Sequence, residues 1–341
     1  MMKEHEDMTG EEIFARVGEI VSPVYMVGGS VRDKILRKIP YDYDFATPLS
    51  PLAVEERIRA AGKRPYMIGN RFGTIAMKVG GMLVEITTFR TETYTEGSRK
   101  PDVEYVSSLE EDLKRRDFTI NSLAMKSDGE IVDCFGGKED IERRLIRCVG
   151  NPEQRFKEDP LRMLRAARLS SQLDFAIDCY IFDAVKDMRH KILEVSKERW
   201  CMEINKLLLT DSPRRGLQFL FETRLFDWII PELGLQYEYD QMNPHHTHKL
   251  HEHTIRVVEN TLPDTILRWA ALLHDIGKPF VRTESKKSAH YYKHELLGAE
   301  MAEMIGKHLR WSNLMVETVS AEIADHMKKG SSLYEADREA K

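Results

Sequence analysis

The chain has 341 residues, enough for two or three ordinary domains, and its 31% charged and 42% hydrophobic residues exclude a disordered, collagenous or fibrous protein. Its 51 basic and 56 acidic residues leave a net charge of −5, so any nucleic-acid binding must come from local basic clusters. No apolar run approaches the roughly 18 to 20 residues of a membrane helix, and the start is acidic and polar, so no membrane association is expected and the expected location is the cytoplasm.

In chain order, β-type runs at residues 24–27, 43–46, 74–79, 82–87 and 103–106 alternate with helix-like stretches at 31–37 and 52–60, predicting an α/β domain over residues 1–150. From Glu153 onward apolar residues recur at spacings of three and four, as in Leu161, Leu164, Ala167 and then Leu217, Leu220, Phe221, predicting an all-helical remainder. Residues 231–244 are turn-rich and aperiodic and are the expected linker, dividing a helical domain at 151–235 from another at 236–341. Four widely spaced cysteines indicate neither a disulfide frame nor a thiolate zinc site. Histidine is skewed: ten of 12 fall between His245 and His326.

In VYMVGGSVRDKILR (residues 24–37) a predicted strand passes through two glycines into a predicted helix. Glycine lets backbone N–H groups approach a phosphate, the helix start adds its positive end, and Arg32 adds a fork of donors. Taken alone, this is also an ordinary tight connection. The following YDYDF alternates with period two, so a strand there would put Asp42 and Asp44 on one face and the aromatics on the other. Carboxylates about 7 Å apart along a strand can share Mg²⁺ ions, which activate an attacking hydroxyl and stabilise a leaving pyrophosphate. Further on, Asp159 and Arg162 are three apart, on one face if helical. A carboxylate accepting from an exocyclic amine and a guanidinium donating to a ring nitrogen or carbonyl fit the edges of cytosine and adenine and mismatch uracil and guanine. Each of these features by itself could equally be a solvated acidic face or a surface ion pair.

Together, GGSVRD, YDYD, RRDFTINSLAM (115–125), DCFGG (133–137) and EDPLRMLRAAR (158–168), in that order, resemble the class II tRNA nucleotidyltransferases and related bacterial poly(A) polymerases over about residues 20–230. The resemblance implies a polymerase-β-like α/β nucleotidyltransferase domain, helical nucleotide- and tRNA-binding segments, and addition of CCA to the 3′ end of tRNA from CTP and ATP with Mg²⁺. It implies that Gly28, Gly29, Arg32, Asp42 and Asp44 hold triphosphate and metal, and Glu85 in VEITTFR is the candidate third carboxylate. Arg116, Asp117 and Asn121 would meet ribose and phosphates; Glu158, Asp159 and Arg162 would read the base, with Arg165 and Arg168 continuing the stripe. Residues 86–101 resemble the intact flexible loop of enzymes that add the terminal A, and IGNRFGT (68–74) is similar to the nucleotidyltransferase form. A-only or poly(A) addition is the alternative. Residues 196–209 resemble another family motif through Glu198 and Arg199, with Trp200 where a smaller aliphatic is usual. Backbone contacts to tRNA are expected from Arg143, Arg144, Arg147, Arg155 and Lys157.

In LLHDIGKP (272–279), His274 and Asp275 sit inside an apolar run and need partners, which a metal supplies; His253 in HEHTIRVVEN fits as a ligand from a neighbouring helix. This pattern resembles the HD superfamily of metal-dependent phosphohydrolases. It implies an all-α HD domain in which His253, His274 and Asp275, with His294 and His326 as further candidates, hold a divalent transition metal or Mg²⁺. Asp325 and Asp337 both qualify as the last ligand. The implied activity is removal of phosphate or cyclic phosphate at RNA 3′ ends. A helical domain without turnover, or an HD phosphohydrolase or RNA-binding protein with an inactive polymerase half, is the alternative. His245, His246, His248 and His251 would support the ligands or lie in a loop.

Overall fold

In the computed structural model, which describes residues 8–69, 73–93, 102–242, 248–284 and 288–340, the N-terminal half condenses on one mixed sheet. Its elements run α1 (Gly10–Ile20), β1 (Tyr25–Val27), α2 (Gly29–Ile35), β2 (Asp44–Thr47), α3 (Pro51–Ala60), β3 (Tyr66–Gly69), β4 (Thr74–Val79) and β5 (Met82–Thr88). A separate hairpin of β6 (Arg90–Thr93) and β7 (Asp102–Tyr105) follows, then α4 (Leu109–Lys114), β8 (Leu123–Met125), β9 (Ile131–Asp133) and α5 (Gly137–Glu142). The helices begin where local chemistry allows. Thr9 and Glu12 form a reciprocal capping box on α1, and Ser50 caps α3 with Pro51 in its first turn.

Strand order is β3-β4-β5-β2-β1-β8-β9, in which β2 and β5 are parallel and the other neighbouring pairs antiparallel. Val27, Ala46, Phe89, Leu113 and Ala124 form a buried cluster. One expectation fails in detail. The strand starts at Asp44, so Asp42 precedes it, and Tyr41 is 95% exposed while Tyr43 and Phe45 are buried. The period-two face is real only from residue 43 onward, because α2 holds the preceding backbone in a turn.

Pro152 opens the second compact unit, and Asn151 ends the first. Helices α6 (Pro152–Glu158), α7 (Leu161–Leu173), α8 (Cys179–Met188), α9 (Lys197–Leu208) and α10 (Arg214–Glu222) come first, followed by α11 (Phe226–Ile229) and α12 (Pro231–Gly234). Then come α13 (Leu250–Asn260), α14 (Thr265–Leu273), α15 (Lys278–Val281), α16 (His294–His308), α17 (Asn313–Asp325) and α18 (Tyr334–Glu339). The expected linker is partly this packed structure: Leu233 and Gln236 are fully buried, and Gln236 Oε1 accepts from Thr254 Oγ1 at 2.8 Å. Its aperiodicity reflects one-turn helices, which carry too few residues to show a period. The helical and histidine-rich segments share one unit. No helix among the described residues is long and apolar enough to cross a membrane.

Candidate active site and metal centre

The acidic site of the first unit is set by strand register. Because β2 and β5 run parallel with Asp44 opposite Glu85, two carboxylates expected from separate motifs lie side by side, about 4.8 Å apart at the backbone as neighbouring strands are. Asp42 is brought in by Ser30: its hydroxyl donates to the Asp42 carbonyl and accepts from the Asp44 N–H, each at 3.2 Å. The serine of GGSVRD thus clamps the YDYD turn, a role that the motif's glycines and arginine overshadow in the sequence. Burial, then the charges of Asp42 and Glu85, push the Asp44 carboxyl up to about 6 against the pull of Arg116. A buried carboxyl that two neighbouring carboxylates push up further is one that a hard divalent cation would relieve, so the residues fit Mg²⁺.

Gly28 turns the chain from β1 into α2 with φ +74°, a conformation that costs glycine little. A Cβ added there would meet Arg116 Nη1 at 2.9 Å, so the glycine admits that guanidinium to the turn. Next to Gly29, Arg32 is buried, donates Nη1 to Asn121 Oδ1 at 2.6 Å and pairs with Asp33 at 2.7 Å. Asn121 Nδ2 in turn donates to Asp117 Oδ1 at 3.3 Å. The head's expected residues therefore converge: Gly28, Gly29, Arg32, Arg116, Asp117 and Asn121 surround the turn beside the acids.

In the second unit the expected base-reading residues are arranged differently from a simple helix face. Asp159 lies in the break between α6 and α7, where its Oδ1 accepts from the Leu161 N–H at 3.1 Å, because Pro160 interrupts the helix. Its partner is Arg199 of α9 at 2.7 Å, whereas buried Arg162 pairs with Glu158 at 2.6 Å. Arg168 and Arg165 both face Glu203 of α9, at 2.6 and 3.8 Å. Of the basic residues expected on tRNA, Arg143, Arg147 and Arg155 are engaged with Glu139, Asp140 and Glu158. Residues 94–101 of the loop motif and 70–72 of IGNRFGT lie outside the described residues, as do His245 and His246.

The histidine-rich end builds a second centre. His253 from α13, His274 and Asp275 after α14, His294 at the start of α16, His326 after α17 and Asp337 of α18 converge, all buried. Two donor groups share Asp275: His253 and His274 on one side, His294 and His326 on the other. Asp275 Oδ2 lies 3.4 and 3.0 Å from the first pair's Nε2 atoms, and Oδ1 lies 3.2 and 4.0 Å from the second pair's. Asp337 Oδ1 is 3.0 Å from His253 Nε2, while Asp325 pairs with Lys328, so Asp337 is the aspartate that reaches the centre. Gly277 permits the approach of α16, since a Cβ there would meet the His294 carbonyl at 2.5 Å.

Proton positions follow from partners. Nδ1 of His274, His294 and His326 faces the carbonyls of Ala271, Tyr291 and Ile323 at 2.7, 2.8 and 2.7 Å. A carbonyl only accepts, so each Nδ1 carries hydrogen and, in a neutral ring, each Nε2 offers a lone pair inward. Nε2 atoms nevertheless approach in pairs, 3.3 Å for His253 with His274 and 3.3 Å for His294 with His326. Lone pairs and carboxylates directed at one another fit a divalent cation with mixed nitrogen and oxygen preference. Burial opposes the charge of Asp275, yet His274 and Lys278 hold it well below the usual carboxylate range. Burial and His274 lower His326 to about 4, and Asp275 and Asp337 raise His253 against its burial.

Lys278 and Gln241 were not legible beforehand: Lys278 Nζ lies 2.6 Å from Asp275 Oδ2 and donates to Gln241 Oε1 at 3.0 Å. A lysine three residues after a buried aspartate is the available signal, obscured by the helix-stop reading of Gly-Lys-Pro. His251 instead accepts from the Glu238 N–H through Nδ1 at 3.1 Å and packs on Phe221 and Tyr237, and His248 pairs with Glu252.

Residues 24–147 match the Poly A polymerase head domain, residues 174–235 the "Probable RNA and SrmB- binding site of polymerase A", and residues 245–340 the HD domain. A CCA-adding enzyme of Ligilactobacillus salivarius is 44% identical over 217 residues, covering 63% of this chain and 53% of that protein. One from Pediococcus pentosaceus is 35% identical over 277 residues, covering 80% of this chain and 66% of that protein. The chain thus spans about half the length of the first of these curated relatives. The Bacillus stearothermophilus CCA-adding enzyme, solved in complex with CTP, is 30% identical with a TM-score of 0.64, covering 98% of this chain and 82% of that one.

Proposed function

The chain belongs to the family of CCA-adding enzymes and bacterial poly(A) polymerases, with an HD domain at its C-terminal end, and from that premise we propose that it adds C, C and A to the 3′ end of tRNA from CTP and ATP, without a nucleic-acid template, in the cytoplasm. The observation that carries this reading is the register placing Asp44 beside Glu85, with Asp42 tied to Ser30 and the guanidiniums of Arg116 and Arg32 against Gly28 and Gly29 of the same motif. Asp42, Asp44 and Glu85 would hold Mg²⁺. Magnesium bound there supplies activation of the tRNA 3′ hydroxyl and neutralisation of the triphosphate. Gly28 and Gly29 let the chain come close to the phosphates, Arg32 and Arg116 meet their oxygens, and Asp117 and Asn121 hold Arg32 and the ribose.

Labour would divide among segments 1–150, 151–235 and 236–341. In the second, Asp159 and Arg162 present the acceptor and donors that match C and A, Glu158 holds Arg162 until a base arrives, and Arg165 and Arg168 line the same stripe. In the third, His253, His274, Asp275, His294, His326 and Asp337 would hold divalent metal. A second reading, phosphohydrolase activity at RNA 3′ ends, is favoured by one observation: three imidazoles are pinned by backbone carbonyls with Nε2 facing a carboxylate shared between two donor groups.

One experiment addresses both readings. The purified chain is given CTP, ATP or both, with tRNA lacking CCA, tRNA ending in CC, and RNA ending in a cyclic phosphate. Asp42→Ala should reduce incorporation at least a thousandfold while leaving tRNA binding and cyclic-phosphate removal unchanged. Normal incorporation by that variant would sink the polymerase assignment. Incorporation of A alone would replace CCA addition by the A-adding reading, and phosphate removal without any incorporation would leave an HD phosphohydrolase.

A further inference from the structure

Arg116 is tied to a charged network whose other members have no part in the chemistry above. Its centre is Asp112 in α4, a side chain with no exposed surface. Oδ1 accepts from Arg115 Nε and Nη2 at 3.0 and 2.7 Å and from the Arg90 backbone N–H at 3.3 Å, and Oδ2 accepts from Arg116 Nη2 at 3.4 Å. Burial works to raise this carboxyl, but the guanidiniums of Arg116 and Arg115 outweigh it and hold Asp112 below the usual carboxylate range. Glu92 of β6 extends the network, its Oε1 accepting from Arg115 Nη1 and Arg90 Nε, both at 3.0 Å.

Arg116 stands at the other end. Its Nη1 occupies the space that a side chain at residue 28 would need, and it donates to the Asn121 carbonyl at only 3.5 Å. Its Nε is buried and makes no hydrogen bond among the described residues. Contacts of 3.4 and 3.5 Å are at the far limit of hydrogen bonding, so Arg116 is placed by charge more than by saturated donors. A guanidinium aimed in this way, with donors unspent, suits bidentate contact with phosphate oxygens. Neighbouring Arg115 is a like charge, and the Asp112 carboxylate shared between the two offsets their repulsion.

We propose that Asp112 is a positioning residue for phosphate binding: it seats Arg116 against the Gly28 turn and, through Arg115 and Glu92, makes that seating depend on how the β6–β7 hairpin is docked. The proposal rests on the reading that Arg116 meets the triphosphate, so its test uses a phosphate probe that requires no polymerisation. Equilibrium binding of inorganic tripolyphosphate to the full chain is measured for wild type, Asp112→Asn, Arg116→Gln and the double variant, alongside KM and kcat for CTP.

Asp112→Asn should weaken tripolyphosphate binding about tenfold and raise the CTP KM by a similar factor, with kcat within about twofold, because the lost interaction is made equally in ground and transition states. The double variant should bind no more weakly than Arg116→Gln alone. Additive losses, or unchanged binding by Asp112→Asn, would overturn the proposal while leaving the polymerase reading intact. Binding with this pattern but no nucleotide incorporation would support the proposal and sink that reading, and a wild-type chain that binds no tripolyphosphate would overturn the proposal. If Asp112→Asn does not fold, Glu92→Gln carries the test, with about a threefold loss expected that vanishes in the Arg116→Gln background; no loss overturns the proposal.

Discussion

The two acidic centres of this chain are built on opposite plans. In the N-terminal unit, Asp42, Asp44 and Glu85 come from a turn and two short parallel strands, Asp42 is exposed, and one guanidinium, Arg116, is the counter-charge that bears on Asp44. In the C-terminal unit every donor is buried, and the same device recurs three times: a histidine donates Nδ1 to the carbonyl three residues before it and directs Nε2 inward. Hard oxygens at an open edge leave coordination positions for a ligand that arrives with its own phosphates. Imidazoles locked by their own helix ends would suit a resident ion, because the protein has prepared the lone pairs before any substrate is present.

Metal removal should separate the two centres most. A resident ion at a thousandfold excess over its dissociation constant stabilises the folded chain by about 4 kcal/mol, or roughly 10 °C in a unit of this size. We expect dialysis against EDTA to strip magnesium from the strand site with a change in Tm of no more than about 1 °C. Removing the C-terminal metal should need a stronger chelator and lower Tm by about 10 °C, read by elemental analysis beside calorimetry. If both sites empty equally easily and at equal thermal cost, the distinction between a borrowed ion and a resident one is wrong.

Much of this contrast is legible in the primary structure. GGSVRD, YDYD and EDPLR mark their elements because each couples a turn signal to a charge pattern, and the histidine skew marks the second centre before any fold is known. Register was not legible: nothing in VEITTFR says that Glu85 will pair with Asp44, since that depends on β2 and β5 being parallel neighbours. Ion-pair partners were not legible either. Spacing suggested an Asp159–Arg162 face, but Pro160 breaks the helix between them and hands Asp159 to Arg199, 40 residues away in sequence. The same limit kept Asp325 and Asp337 equivalent until α18 was seen to fold back beside α13.

In the absence of metal, the strand site should work against the fold. The Asp44 carboxyl titrates at about 6 in place of the ordinary 3.8, so the folded chain holds that proton more tightly than the unfolded one. The stability tied to its protonated form is therefore present below about pH 4 and lost as pH rises through 6. Two units correspond to at most about 3 kcal/mol, and partial exposure reduces this to about 1 to 2 kcal/mol. In EDTA at pH 7.5, Asp44→Asn should raise Tm by several degrees, an advantage that disappears by pH 4. An Asn variant no more stable than wild type at pH 7.5 would show that the carboxylates do not strain one another.

The smallest expected effect concerns the ion pair that replaces the anticipated helix face. Arg199 and Asp159 lie 2.7 Å apart with side chains 40% and 23% exposed, a setting in which such a pair contributes under about 1 kcal/mol to stability. Arg199→Ala should therefore leave Tm within about 1 °C. Its consequence lies in aim: a carboxylate freed from α9 keeps, among the described residues, the Leu161 N–H to fix it, so its acceptor oxygens spread over more directions. We expect KM for CTP and ATP to rise about threefold, with discrimination against UTP falling by a similar factor, since a matched hydrogen bond to a base edge contributes about 1 to 3 kcal/mol only while its acceptor is held in place. Unchanged nucleotide choice in Arg199→Ala would mean that Asp159 is aimed by the helix break alone, and that the base-reading segment, like the histidine centre of the same unit and unlike the strand site, arrives at its ligand already set.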